Sequence, residues 1–500
     1  MLIKTFQQTR MIIVALLSGA LLPLAFAPYD HAFMAIVSLV LLLLALRRLK
    51  PAKAAIAGYA FGWGYFTHGV YWVYFSIHHF GHAPLWLAVI IMLGMVAILA
   101  AYMALLAYLL NRFFAADNAL RYLLAFPSLW LGLEVLRGVL FTGFPWLSLG
   151  YSQIDTVLSN WAPLVGVLGL SWLISLASGA VLCVFLGTKN GHKILAVSLL
   201  VSFWSAAWLL AGVAWVEPAG KPIKVALLQG NIPQEIKWMR SFKKINLELY
   251  LQMTKQHRDA DLIIWPETAI PAFYHAVKDD FLPALRTEAT SYQSDIILGL
   301  PVMSETTSEY YNALYSVRHP SDFYFKRHLV PLGEYMPLKP LSTFILAFLN
   351  IPLSDFSAGK KQQSLLQGAG YPFASSICYE DVFQQSSIDG LPQAAYLVNV
   401  SNDTWFGDTI APYQHLQMAR MRALESGRFL LRSTNTGLTA IIDQKGKTIR
   451  QAPMFSRFAL TGEMTPLTGS TPFVQGGWWA IYLFSLALLV ISFAMRDKRK

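Results

Sequence analysis

The chain has 500 residues, 55% of them hydrophobic and 13% charged, with a mean hydropathy of +0.46. Soluble globular chains carry roughly 25% charged residues, so this composition excludes a disordered or disulfide-rich secreted chain and argues against one that is soluble throughout. Two cysteines, Cys183 and Cys378, supply neither a disulfide framework nor a cysteine zinc site.

Eight apolar stretches, at 11–28, 32–46, 54–77, 84–110, 119–141, 162–187, 193–215 and 477–495, approach the roughly 20 residues that cross a hydrocarbon core. The second is short enough to be re-entrant. The net charge of +11 is distributed around them: residues 217–475 hold 24 Lys and Arg against 23 Asp and Glu, and the remainder holds 15 against 5. Arg10, the group Arg47, Arg48, Lys50 and Lys53, the pairs Arg112/Arg121 and Lys189/Lys193, and the tail Arg496, Lys498, Arg499 and Lys500 all fall in alternate gaps. The intervening gaps, 29–31, 78–83 and 142–161, contain no Lys or Arg. Cationic loops stay cytoplasmic, so the pattern predicts both termini in the cytoplasm and 217–476 outside it. The basic excess therefore reports topology, and no basic patch marks a nucleic-acid partner. Ala25-Phe26-Ala27 resembles a signal-peptide cleavage site; cleavage there would leave seven spans and move nothing else. The expected division is a bundle of about seven spans over 1–216, an extramembrane domain over 217–476, and a last span with a basic tail over 477–500.

Within 217–476, Lys224–Gln229, Leu262–Trp265, Ile296–Leu300 and Ala395–Val400 are short apolar runs bounded by polar or turn residues, the signal of buried strands. Glu235–Lys255 and Pro412–Ser426 have the spacing of amphipathic helices, and Tyr310–Val317 with Phe323–Leu329 predicts a hairpin around His319-Pro320. Alternation of this kind predicts one α/β domain. There is no GxGxxG after a strand and no Walker loop, so a nucleotide has no support.

Three segments carry ionisable or nucleophilic side chains at element ends: Trp265-Pro266-Glu267, Lys326-Arg327-His328-Leu329-Val330-Pro331-Leu332-Gly333-Glu334-Tyr335, and Cys378-Tyr379-Glu380-Asp381. Taken singly, Cys378 is a small buried hydrophobe, Lys326 a solvated lysine and Glu267 a helix-cap carboxylate. The ordered set Glu–Lys–Cys resembles the nitrilase (carbon–nitrogen hydrolase) superfamily, whose fold is an α-β-β-α sandwich. With spans around it, it is similar to the apolipoprotein N-acyltransferase family. Leu332, where that family's motif leads one to expect an aromatic residue, is the one departure, and it leaves the ionisable positions intact.

The resemblance implies Glu267 as general base, Lys326 as cationic stabiliser and Cys378 as nucleophile, with Glu334 a further carboxylate. The types suit the chemistry: an ammonium favours a thiolate, and a carboxylate takes its proton. It also implies a phospholipid acyl donor, the α-amino group of an S-diacylglyceryl-cysteine apolipoprotein as acceptor, a thioester intermediate, a bacterial inner-membrane location and no metal or other cofactor. Tyr379 and Glu380 order the turn or assist directly. Trp238, corresponding to a tryptophan on a mobile arm, packs on acyl chains or anchors at the interface. Asn402, Trp405 and Phe406 line a pocket or pack in a loop. Arg137, three residues after Glu134 in the fifth span, contacts lipid phosphate, docks the outer domain, or forms a local ion pair. His78, His79 and His82 lack an acidic partner nearby and suit interfacial side chains better than a metal. The Gly58/Gly62 pair suits close helix packing, and 331–370 is the expected lid.

The competing readings are a membrane-tethered amidase or nitrilase-type hydrolase using the same three residues, and a transporter or inactive scaffold. Transporters tend to show two related halves of interrupted spans, which this chain does not. Nothing demands more than a monomer.

Overall fold

The computed structural model describes residues 2–187, 189–331, 333–335 and 355–495. Leu332 and the tail Arg496–Lys500 lie outside them. The chain divides into two units, one of Met1–Tyr74, Pro84–Ala214 and Gln475–Lys500, the other of Phe75–Ala83 and Trp215–Val474.

The first unit is helical, with helices at Leu2–Leu21, Phe33–Leu46, Pro51–Val70, Leu85–Phe113, Leu120–Thr142, Val157–Leu186, Asn190–Leu210 and Trp478–Met495. Among the described residues, four of them, from Leu85–Phe113 to Asn190–Leu210, are long and apolar enough to cross a membrane by length and composition. The third helix ends at Val70, short of the expected 77, because residues 75–83 fold with the second unit. A Cβ on Gly58 would lie 2.4 Å from the Met103 carbonyl oxygen, and one on Gly62 2.5 Å from Ala100 Cα. The small pair thus seats Pro51–Val70 directly on Leu85–Phe113, as small residues do where backbones must meet without a hydrophobic driving force.

The second unit is built on two six-stranded sheets. Its strands are β1 (Val216–Pro218), β2 (Ile223–Gln229), β3 (Leu262–Ile264), β4 (Asp295–Met303), β5 (Tyr310–Ser316), β6 (Phe323–Phe325), β7 (Leu366–Gly368), β8 (Tyr371–Ile377), β9 (Tyr396–Ser401), β10 (Leu430–Thr434), β11 (Ala440–Ile442), β12 (Thr448–Gln451), β13 (Phe458–Met464) and β14 (Leu467–Gly469). One sheet runs β13-β2-β3-β4-β5-β6 and the other β7-β8-β9-β10-β11-β12; β1 pairs separately with β14. Both sheets follow one pairing sequence: antiparallel, parallel, parallel, antiparallel, antiparallel. The sheets stack face to face, the Ser433 hydroxyl on β10 donating to the Leu228 carbonyl of β2 at 3.0 Å. Helices Arg240–Gln256 and Phe281–Tyr292 cover the outer face of the first sheet through Tyr250, Met253, Leu282 and Leu285. Helix Ala411–Ser426 covers the second through Leu416, Ala419 and Ala423. Parallel strands need both faces covered, which is why these runs are continuously apolar.

Three expectations are corrected. Glu235–Lys255 is two helices, Gln234–Lys237 and Arg240–Gln256, broken by the extended backbone of Met239. The hairpin's second strand stops at Phe325 instead of running to Leu329, because Glu380 Oε1 captures the amides of Arg327 and His328 at 2.6 and 3.1 Å. Helix Ala411–Ser426 is buried at 14 of its 16 positions, so its polar face is internal as well.

Candidate active site

Each of the three sequence segments leaves a strand and turns inward. Glu267 follows β3 in a turn where Thr268 has φ +50°, an uncommon conformation for a β-branched residue. Gly299 on β4 makes that turn possible: a Cβ there would sit 2.5 Å from the Thr268 nitrogen and 2.9 Å from Glu267 Cα. Cys378 follows β8 with φ +53°, so the nucleophile candidate also stands on a strained turn, a feature that collects at functional sites. Lys326 follows β6, its amide still bonded to the Asn312 carbonyl at 2.8 Å.

The side chains converge. Lys326 Nζ, 1% exposed, donates to Glu334 Oε1 at 2.8 Å and lies 3.6 Å from Glu267 Oε1. Asn312 Nδ2 donates to Glu267 Oε1 at 2.7 Å and reaches Glu334 Oε1 at 3.3 Å. The other Glu267 oxygen accepts the Asn402 amide at 2.8 Å. Asn402, expected to line a pocket or pack in a loop, fixes the carboxylate through its backbone. Burial alone would lower the Lys326 ammonium, but the Glu334 and Glu267 charges outweigh it and hold it above the ordinary lysine range.

The Cys378 thiol is buried on its turn; the residue is 9% exposed. Burial pushes the thiol up, the Glu267 charge adds to this, and Lys326 opposes it only in part, so the resting group is a protonated thiol. Glu380 has no solvent access and braces the turn: Oε1 holds the 327 and 328 amides, while Oε2 accepts the Ile377 amide at 2.8 Å and the Tyr324 hydroxyl at 2.9 Å. All four of those donors are protein groups. Tyr379 is buried with its ring 5.2 Å from that of Phe383.

Trp238 is half-buried just after Gln234–Lys237. Trp405 and Phe406 are half-buried too; the Trp405 carbonyl accepts the Ser76 hydroxyl at 2.6 Å and its ring meets Phe80 at 5.3 Å. The histidine-bearing segment 75–83 thus packs on the loop after β9. Among the described residues no three His, Cys, Asp or Glu side chains are grouped as metal ligands would be. Residues 332 and 336–354 of the expected lid lie outside the described residues. Beyond them the chain returns to the site, where the Phe356 amide bonds the Glu334 carbonyl and the Gly359 amide that of Lys326, both at 2.8 Å. Arg137 is held locally. It is 2% exposed and its guanidinium donates to the Phe144 and Trp146 carbonyls, which ties it to the end of its own helix.

The match to known proteins follows the same division. Residues 18–180 match the model of the apolipoprotein N-acyltransferase N-terminal domain, and 224–472 that of carbon–nitrogen hydrolases. An apolipoprotein N-acyltransferase of Methylococcus capsulatus is 47% identical over 97% of this chain and 96% of its own. The chain belongs to the apolipoprotein N-acyltransferase family. Members from Pseudomonas paraeruginosa and Coxiella burnetii are 42% and 39% identical over 97% and 96% of this chain, and 96% and 99% of theirs. It is an acyltransferase enzyme with a multi-pass membrane unit and a nitrilase-superfamily domain.

Several residues of this apolipoprotein N-acyltransferase site carry no motif in the sequence. Asn312 lies mid-strand in Tyr310–Ser316, and Lys237 looks like one of many lysines on an amphipathic run. Asp403, His415 and Arg432 lie 22 to 51 positions beyond Asp381, the end of the cysteine motif, yet meet around it in space. The signal available was His415, Arg422 and Glu425 on a helix whose apolar face was already complete.

Proposed function

We propose that the enzyme moves a fatty acyl chain from a membrane phospholipid to the α-amino group of the S-diacylglyceryl cysteine that begins an apolipoprotein, through a thioester on Cys378. The observation that carries this reading is the buried Glu267–Lys326–Glu334 cluster beside a cysteine on a strained strand-end turn, in a chain of this family.

Glu267 accepts the thiol proton as Sγ attacks the ester carbonyl carbon, since a buried protonated thiol is a poor nucleophile until a base takes its proton. Three neighbours suit Glu267 to this: Asn312 and the Asn402 amide fix its two oxygens, and Lys326 Nζ lies 3.6 Å from one of them. Charge develops on the carbonyl oxygen, for which Lys326 Nζ and the Tyr379 backbone N–H are the donors. Collapse breaks the ester C–O bond, and Glu267 returns the proton to the leaving lysophospholipid alkoxide. In the second half the acceptor amine attacks the thioester carbonyl, gives a proton to Glu267, and the C–S bond breaks to restore the thiol. Glu334 holds Lys326 charged throughout.

The topology belongs to the same proposal: eight spans, both termini cytoplasmic, 217–476 periplasmic over the leaflet that holds both substrates, and a monomer. A dry, covered site is required because water competes for the thioester. Trp238, Trp405 and Phe406 supply apolar surface for the acyl chain.

Intact-protein mass spectrometry after incubation with phospholipid tests the reading. One added fatty-acyl mass, absent from Cys378→Ala and discharged by a diacylglyceryl-peptide amine, is expected. An adduct discharged only by water would make the protein a hydrolase, and no adduct on folded protein across several phospholipids would remove the donor assignment.

A further inference from the structure

Behind the nucleophile lies a second cluster of charge that the reaction above does not use. Asp381, Asp403, His415 and Arg432 are each 2% exposed or less. They come from four elements: the turn after β8, the loop after β9, helix Ala411–Ser426 and β10. His415 Nε2 donates to Asp381 Oδ1 at 2.8 Å, while its Nδ1 faces Asp403 Oδ1 at 3.1 Å and Arg432 Nη2 at 2.8 Å. Arg432 donates to Asp381 Oδ2 at 2.8 Å and to Asp403 Oδ2 at 3.0 Å. Arg432 therefore bridges both carboxylates, and His415 lies between them.

The bridged segments are the ones the chemistry needs. Asp381 is three residues past Cys378. Asp403 directly follows Asn402, whose amide holds Glu267. Arg432 also donates to Asn399 Oδ1, and Asn399 Nδ2 donates to the Cys378 carbonyl at 3.4 Å. The Ser401 hydroxyl, at the end of β9, donates to Asp403 Oδ1 at 2.6 Å. A strained turn at φ +53° persists only where its surroundings over-determine it. Simple stabilisation is a poor account of the cluster, because apolar residues of similar volume usually replace buried ion pairs without loss.

We infer that Asp381, Asp403, His415 and Arg432 form one positioning unit that fixes the turn of Cys378 relative to the loop that anchors Glu267. These are positioning residues; none touches the reacting atoms. The inference rests on Cys378 as nucleophile and Glu267 as base. Besides this unit, the charged groups around Cys378 are Glu267 after β3, Lys326 after β6 and Glu380 in its own turn, with Glu334 behind Lys326.

The test uses full-length Asp403→Asn, His415→Gln and Arg432→Gln in detergent–phospholipid micelles, each checked for a parent-like size-exclusion profile. Two quantities are measured: the rate of acyl-enzyme formation against phospholipid concentration, and the pH midpoint of Cys378 alkylation by iodoacetamide, read by peptide mass mapping. On folded protein the maximal acylation rate should fall by roughly tenfold or more with KM for phospholipid little changed. Removing the Asp403 charge should move the alkylation midpoint down by about one pH unit, and removing the Arg432 charge should move it up. If Arg432→Gln does not fold, Asp403→Asn decides alone. Folded Asp403→Asn with a parental acylation rate, or with an unmoved midpoint, overturns the inference. If the parent itself forms no acyl-enzyme, the proposed function fails, and the alkylation midpoints still decide whether the unit acts on Cys378.

Discussion

The two sheets of the second unit share a pairing sequence but hold opposite kinds of polar interior. At the ends of the first sheet's strands, Glu267, Asn312 and Lys326 meet in a site with bonding capacity to spare. Among the described residues, Asn312 Oδ1 has no hydrogen-bond partner. At the ends of the second, Arg432 bonds both Asp381 and Asp403 beside His415, with the Arg432 Nε left without a partner among the described residues. In the proposed mechanism one backbone plan therefore supplies reacting groups on one side and a rigid cushion on the other, and Cys378, which belongs to the cushioned sheet, acts with groups of the other. A nucleophile on a strained turn needs bracing, whereas a base needs free lone pairs, and the division satisfies both.

The sharpest way to break that comparison is to damage the first sheet's acid. Glu267→Gln should lower the rate of acyl-enzyme formation by about 10³-fold, in the range of a lost general base, while leaving the alkylation of Cys378 possible. An unimpaired rate would remove Glu267 from the chemistry and with it the functional difference between the sheets. Gly299→Ala comes next, because it moves Glu267 without replacing it. The new Cβ must push back the Thr268 nitrogen from 2.5 Å, and a displacement approaching 1 Å costs about 100-fold in rate. Single-turnover acylation of Gly299→Ala at the parental level would show that the turn adapts and that Gly299 is not what places the base. Tyr324→Phe is milder. It removes one of four donors to Glu380, a change worth about 1 kcal/mol, and should lower the thermal midpoint while costing less activity than either substitution above. If it matched Gly299→Ala in rate, bracing and placement would not be separable.

How far the sequence carries depends on whether a residue's role is local. Apolar runs at 224–229, 262–265, 296–300 and 395–400 became β2, β3, β4 and β9 within a few residues, because a buried parallel strand writes itself as continuous hydrophobicity. Glu267, Lys326 and Cys378 were legible through their contexts, and the structure brings Glu267 and Lys326 within 3.6 Å. Asn312, Asp403 and Arg432 were not, since each is an ordinary polar residue until a distant segment supplies its partner. The early end of β6 is of the same kind: only the packing of Glu380 against residues 327 and 328 determines it. The thiol was misjudged for a related reason. Counting Lys326 as a neighbour is possible from sequence, but the burial that outweighs it is a property of the whole fold.

An effect on stability alone, with none expected on the chemistry, separates two lysines that both lie against Glu267. Lys326 has two carboxylates for partners and is held charged. Among the described residues Lys237, 2% exposed, has only the Glu267 carbonyl, to which Nζ donates at 3.2 Å, and burial lowers it to about 8 from an ordinary 10.5. Below pH 8 the Lys237 ammonium is charged in the folded and the unfolded chain alike, so folding bears the full cost of burying it. Above 10.5 it is neutral in both, and the cost is gone. Between those limits the unfolded chain binds more protons, so stability gains from Lys237 as the pH rises. The gap between about 8 and 10.5 corresponds to about 3 kcal/mol, against which the carbonyl hydrogen bond returns about 1 kcal/mol. Lys237→Met should therefore raise the thermal midpoint at pH 7, with the advantage shrinking toward pH 10.5. Midpoint differences that stay constant over that range would mean that Lys237 has found charge compensation equal to that of Lys326, and the two lysines would no longer be distinct.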